Sequence, residues 1–177
     1  MLRIRERVRA VVAIAEAREL SMPEPLDELI QVGYFATLQG DFVTAADCYA
    51  EAVSLSPANS LMWFRYGEAL LAAGEGEAAR NALQKASDLL PGHMPTRMAL
   101  AKAFTANGAV TEALVQLDTI LLEQPKNPGV NLLKLRLLCR AERWQEAGAF
   151  VSKQGGYLVG KEAAQLKSEI APRLSPV

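Results

Sequence analysis

Apolar and small residues recur along this chain at helical spacing, and the spacing itself repeats. Leu61, Phe64, Leu70 and Leu71 fall at steps that gather apolar groups on a helix. Ala72-Ala73-Gly74-Glu75-Gly76 then interrupts the pattern, with Gly74 suited to a left-handed helix cap. A second helix is predicted over Glu77–Leu90, with Ala79, Leu83, Ala86 and Leu90 on one side. Pro91 ends it, because proline lacks the N–H that would continue the ladder. Pro95 suits the first turn of the next helix, and Asn59 and Ser60 suit the cap of the previous one.

The same punctuation returns every 34 residues. Gly33, Gly67 and Ala101 keep that step, and so do Gly40, Gly74 and Gly108. Ala45, Ala79, Ala113 and Ala147 form a third column, and Pro57, Pro91 and Pro125 a fourth. Ala52, Ala86 and Ile120 form a fifth that is similar in type. Columns sharing one period predict a repeated pair of amphipathic helices. The small columns mark places where helix axes come close, with Tyr49, Leu83 and Leu117 filling the space between. Overpacking such a site costs roughly 1–3 kcal/mol.

The pattern resembles the tetratricopeptide repeat, whose signature is W-x2-L-G-x2-Y, then A-x3-F, then P. The second unit has Trp63-x2-Tyr66-Gly67-x2-Leu70, Ala79-x3-Leu83 and Pro91. The third has Leu100-Ala101-x2-Phe104, Ala113-x3-Leu117 and Pro125. The first has Val32-Gly33-x2-Ala36, Ala45-x3-Tyr49 and Pro57. A fourth, from about Pro128, keeps Ala147 but carries Leu135 in the glycine column, Glu142 in the turn, and no final proline.

The resemblance implies an all-α fold: a right-handed α-solenoid of about four helix pairs with N- and C-terminal capping helices. The expected division is 1–25 for the N-terminal cap, 26–161 for the array, and 162–177 for the C-terminal cap and tail. Within the array the units fall at about 26–59, 60–93, 94–127 and 128–161. Capping helices are expected around Leu2–Leu20 and Lys161–Ile170, because each terminal repeat otherwise exposes an apolar face.

The family's first helices line a concave groove. Projected onto this chain, they offer Ile30, Tyr34 and Thr37, then Leu61, Phe64, Glu68 and Leu71. The third unit offers Met98, Lys102 and Thr105, and the fourth Leu132, Arg136 and Cys139. Tyr34, Phe64, Leu71, Met98 and Lys102 are the expected principal contacts. An apolar groove with scattered charges suits an extended segment or an amphipathic helix. Some family members clamp a chaperone's C-terminal carboxylate with Lys, Asn, Asn, Lys and Arg. The corresponding positions here are Ile30, Tyr34, Arg65, Pro95 and Ala99, so that function is disfavoured.

The overall charge of −1 changes this picture little, but its distribution adds to it. Residues 1–19 are net +2, residues 20–125 net −8, and residues 126–177 net +5. Such asymmetry can orient a polar partner or support head-to-tail association of copies. With no global basic field, nucleic-acid binding is not expected.

Candidate chemistry is sparse. His93 stands alone in an inter-repeat turn without a ligand set, so no metal is expected. Cys48 and Cys139 have no histidine partner and are expected to pack. Gly74-Glu75-Gly76 and Gly155-Gly156 lack the strand-to-helix setting of a phosphate loop. No cofactor and no enzymatic activity are expected. Arg3, Arg5, Arg7 and Arg9 spread around a helix axis, which disfavours membrane contact. The apolar run Ala10–Ala15 is too short for a signal peptide, so a cytoplasmic location is expected. The chain therefore reads as a non-enzymatic interaction module that captures a peptide or helix of a partner protein. The alternatives are a self-assembling scaffold and a dedicated chaperone for a secreted or envelope protein.

Overall fold

A computed structural model describes residues 25–174. Among these residues the structure is all α-helical apart from one short 3-10 turn. The helices are α1 (Pro25–Leu38), α2 (Phe42–Leu55), α3 (Ser60–Ala72), α4 (Gly76–Leu89) and α5 (Met94–Ala106). They continue with α6 (Val110–Glu123), α7 (Pro128–Arg140), α8 (Trp144–Gln154) and α9 (Lys161–Leu174). The 3-10 turn at Gly155–Tyr157 lies between α8 and α9. The helix expected around Leu2–Leu20 lies outside the described residues.

Three helix starts carry a side-chain cap. Asp41 caps α2 by accepting from the Thr44 N–H at 3.2 Å. Asn59 caps α3, accepting from the N–H groups of Leu61 (3.1 Å) and Met62 (3.3 Å). Asn127 caps α7 through the Val130 N–H at 3.2 Å. These side chains satisfy backbone donors that have no partner within the helix.

The turns inside the pairs share one geometry. Gly40, Gly74 and Gly108 have φ of 75°, 85° and 74°. In each, the next N–H bonds a carbonyl five residues back: Asp41 to Ala36 at 2.9 Å, Glu75 to Leu70 at 2.8 Å, Ala109 to Phe104 at 2.8 Å. This is the Schellman closure, which glycine adopts without a Cβ penalty. Glu142 stands 34 residues after Gly108. It takes the same left-handed conformation, φ 56°, and Arg143 closes on Leu138 at 2.9 Å.

The chain divides into two compact units within α5, between Ala103 and Phe104. In the first, α1 packs on α2, α2 on α3, and α3 on α4. Its core is built of small residues facing large ones. Ala45, Ala52, Ala79 and Ala86 are buried with Tyr49 and Leu83. A Cβ on Gly33 would meet the Tyr49 ring at 3.0 Å, and one on Gly67 would lie 2.7 Å from Leu83 Cδ2. Glycine therefore lets the first helix of each pair lie against a bulky side chain of the second.

In the second unit, α7 packs on α6 and α8, and α9 packs on both α7 and α8. Leu135 occupies the glycine column and is fully buried, as are Leu117, Val130 and Ala147. A close approach between α8 and α9 lies at Gly148, where a Cβ would meet Leu174 Cδ2 at 3.1 Å. Arg136 ties α7 to α9 through Glu162 at 2.6 Å, and the Arg173 guanidinium lies 4.2 Å above the Trp144 ring. Lys167 donates to the carbonyls of Gly155 (3.0 Å) and Leu158 (2.9 Å), which fastens the connecting turn to α9.

Candidate functional site

The first helices α1, α3 and α5 carry most of the expected contact residues. On α1, Ile30 is half-buried, and Tyr34 and Thr37 are exposed. The Thr37 hydroxyl donates to the Gly33 carbonyl at 2.8 Å. On α3, Leu61 is exposed, and Glu68 and Leu71 are half-buried. Glu68 pairs with Arg65 at 3.3 Å on the helix surface.

Phe64 is only 7% exposed. Its ring meets the His93 ring edge-on, with centroids 5.6 Å apart, and the Arg65 guanidinium stands 5.8 Å from its centre. His93 Nδ1 lies 2.8 Å from the hydroxyl of buried Thr96. Phe64 and His93 thus brace the connection between α4 and α5. An alanine at position 64 tests packing rather than recognition.

On α5, Met98 is half-buried and Lys102 exposed. Lys102 has no ion pair among the described residues. A cavity of about 340 Å³ opens between α3 and α5, lined by Glu68, Leu71, Ala72, Ala99 and Lys102. The fold therefore brings Glu68, Leu71 and Lys102 together with exposed Ala72 and buried Ala99. Ala72 and Ala99 were not among the expected contacts, because alanine in a repeat array reads first as packing.

The remaining expected residues belong to the second unit. Thr105 and Leu132 are half-buried, and Cys139 is buried. Burial raises the Cys139 thiol pKa above its ordinary 9.0, which makes it a poor nucleophile. Arg136 is exposed but engaged by Glu162.

This unit has its own cavity, of about 660 Å³, walled by α6 and α8 and floored by α7. Lys134 lies in its floor, ion-paired to Asp118 and 5.0 Å from the Phe150 ring centre. One repeat earlier the same position is the buried Leu100. That lysine-for-leucine exchange is a signal visible in the aligned repeats, and projecting only the first-helix face missed it.

Among the described residues no three His, Cys, Asp or Glu side chains gather as a metal site. No helix among them is long and apolar enough to cross a membrane.

Repeated helix pairs, closed by glycine turns and notched by small-residue columns, define a helical-hairpin repeat protein. The family described as Tetratricopeptide repeat matches residues 36–103 and 77–137, more than half of the chain, and this chain belongs to it. The Peroxisomal targeting signal receptor of Saccharomyces cerevisiae is 30% identical over 105 residues, 59% of this chain and 17% of that receptor. The chain thus matches about a sixth of that relative's length. A tetratricopeptide repeat protein from Parabacteroides merdae superposes with a TM-score of 0.72 at 19% identity, covering 84% of this chain and 59% of that one. The second TPR domain of human RPAP3, solved with an HSP70 peptide, gives a TM-score of 0.58 at 22% identity, covering 62% and 91%.

Proposed function

We propose that this chain is a non-enzymatic protein-interaction module that captures a peptide or helical segment of a partner on its first-helix face. One observation carries the reading: the cavity between α3 and α5 gathers Glu68, Leu71 and Lys102 with Ala72 and Ala99. An apolar side chain of the partner enters between two opposite charges, which fix its orientation. Family membership supports the reading, and so does the human domain that carries a peptide. The array in this reading runs over residues 26–161, and the helix from Lys161 closes it.

The partner segment differs from the HSP70 peptide of that domain. Ile30, Tyr34, Arg65, Pro95 and Ala99 stand where the carboxylate-clamping residues are expected. The test is a displayed peptide library selected on the intact chain, followed by calorimetry with the selected peptide. Leu71→Asp and Lys102→Glu should each weaken binding about tenfold or more while leaving helical circular dichroism unchanged. Undiminished binding by both variants rejects this face as the site.

A further inference from the structure

In the cavity of the second unit the usual polarity of the repeat is reversed at two positions. Lys134 lies in its floor, where the three earlier repeats place Val32, Tyr66 and Leu100. Leu122 lines its wall and is 85% exposed, where the two earlier second helices carry Ser54 and Asp88. A cation thus occupies an apolar column, and a leucine occupies a polar surface column. Neither exchange fills the cavity, which keeps about 660 Å³. Ligand pockets span roughly 300–1,000 Å³.

The charges lining the cavity restrict what can enter it. Asp118 is ion-paired to Lys134. Glu146 is held by Arg143, whose Nη2 donates to it at 2.8 Å. Lys153 is exposed and has no ion pair among the described residues. Both carboxylates are therefore answered and one cation is not. The Lys134 ammonium adds spare capacity, since it carries three donors and Asp118 accepts one of them. The balance favours an anionic group. Leu121, Leu138 and Phe150 supply apolar surface beside these cations. A small molecule seated on the floor would leave Leu122 in water, whereas a chain crossing the mouth covers it.

We infer that this cavity is a second binding site, for an acidic peptide segment of a partner. A carboxylate of the segment meets Lys153 and the spare donors of Lys134, and a neighbouring apolar side chain packs between Leu122 and Phe150. The site uses α6, α7 and α8, none of which contributes to the cavity of α3 and α5. It stands whether or not the first-helix face binds a partner.

NMR titration of the isotope-labelled full chain tests this, with short capped peptides that alternate leucine with glutamate, glutamine or lysine. The glutamate peptide should move the amide signals of Leu122, Phe150 and Lys153. It should bind about fivefold more tightly than the glutamine peptide, with the lysine peptide weakest. Lys153→Glu should weaken the glutamate peptide by a similar factor. Leu122→Ser, which installs the serine of an earlier repeat on the surface, should weaken it about tenfold. Lys134→Leu installs the floor residue of the preceding repeat and should erase the preference for glutamate over glutamine. Leu71→Asp should leave the titration unchanged, which separates this site from the first-helix face. Equal binding of the glutamate and glutamine peptides overturns the proposal, as do signals that move only on α3 and α5 or do not move at all. So do shifts at Leu122 and Phe150 that grow with protein concentration in the absence of peptide, since a second copy is then the occupant.

Discussion

The two compact units place their glycine notches at different helix contacts. In the first, Gly33 and Gly67 leave room on the first helix, and Tyr49 and Leu83 on the second helix fill it. In the second, Leu135 fills the same column from the first helix, fully buried, and the glycine notch sits at Gly148 against Leu174 of α9. The first unit places its notches inside a helix pair and the second places one between α8 and α9, and in both a bulky side chain stands against the glycine. A repeat that departs from its consensus can therefore stay closely packed.

The contrast can be broken by inverting residue size at one repeat position. The largest effect is expected for Leu135→Ala, which leaves a cavity and should cost about 2–5 kcal/mol in urea unfolding. A loss below 1 kcal/mol, on the order of a surface change, would mean that Leu135 does not fill the gap.

Enlarging the small columns of the first unit should act in the same direction with a smaller magnitude. Gly67→Ala and Ala79→Leu should each cost roughly 1–3 kcal/mol through overpacking. Leu83→Ala combined with Gly67→Ala should then cost less than the two singles added together, because the added methyl occupies the vacated space. Strict additivity would break the account of complementary volumes. An unchanged melting curve for Ala79→Leu would break the assignment of that column to the helix contact.

The turns allow a change of opposite sign. Glu142 holds the left-handed conformation that Gly40, Gly74 and Gly108 hold elsewhere. A side chain there costs on the order of 1 kcal/mol, partly offset by glycine's freedom in the unfolded chain. Glu142→Gly should therefore stabilise by about 0.5–1 kcal/mol, read as a raised urea midpoint. A lowered midpoint would show that the Glu142 side chain contributes more than its backbone strain costs.

The smallest effect is a difference in alkaline sensitivity. Burial raises the pKa of the Cys139 thiol in the second unit above 9.0, and of the Tyr49 and Tyr66 phenols in the first above 10.0. All three hold their protons longer when folded than when unfolded. Their stabilisation is complete below the unfolded values and declines as pH rises through the folded ones. Hydrogen exchange followed into the alkaline range should show the second unit loosening first. Cys139→Ala should remove that lead, and an unchanged order would assign it to other groups.

Much of the architecture was legible in the residues. The second helix expected over Glu77–Leu90 is found at Gly76–Leu89, the restart expected at Pro95 at Met94, and the cap expected at Asn59 is made. These features follow from local rules: proline cannot extend a helix, asparagine caps one, and glycine turns left. The candidate site was legible only in part. Glu68, Leu71 and Lys102 converge on one cavity. Phe64 sits at an apolar helical position too, yet it packs on His93. Helical periodicity gives the face of a residue but not the neighbour that reaches it.

The inter-repeat turns show the same boundary. Trp63 donates its indole N–H to the Pro57 carbonyl at 2.8 Å. Asn131, two repeats later, donates its amide to the Pro125 carbonyl at 3.0 Å. No similarity of residue type announces that shared role. It follows from two unlike side chains placing an N–H at the same point.

From its own pattern the sequence determined the repeat, its period, the helix pairs and the turns between them, because those depend on contacts a few residues apart. The tertiary structure alone decided which side chain fills each gap, that Leu135 is buried in the glycine column while Gly148 lies against Leu174, and that Arg136 turns to Glu162. Those choices depend on volumes and charges brought together from separate helices, and no local rule carries that information.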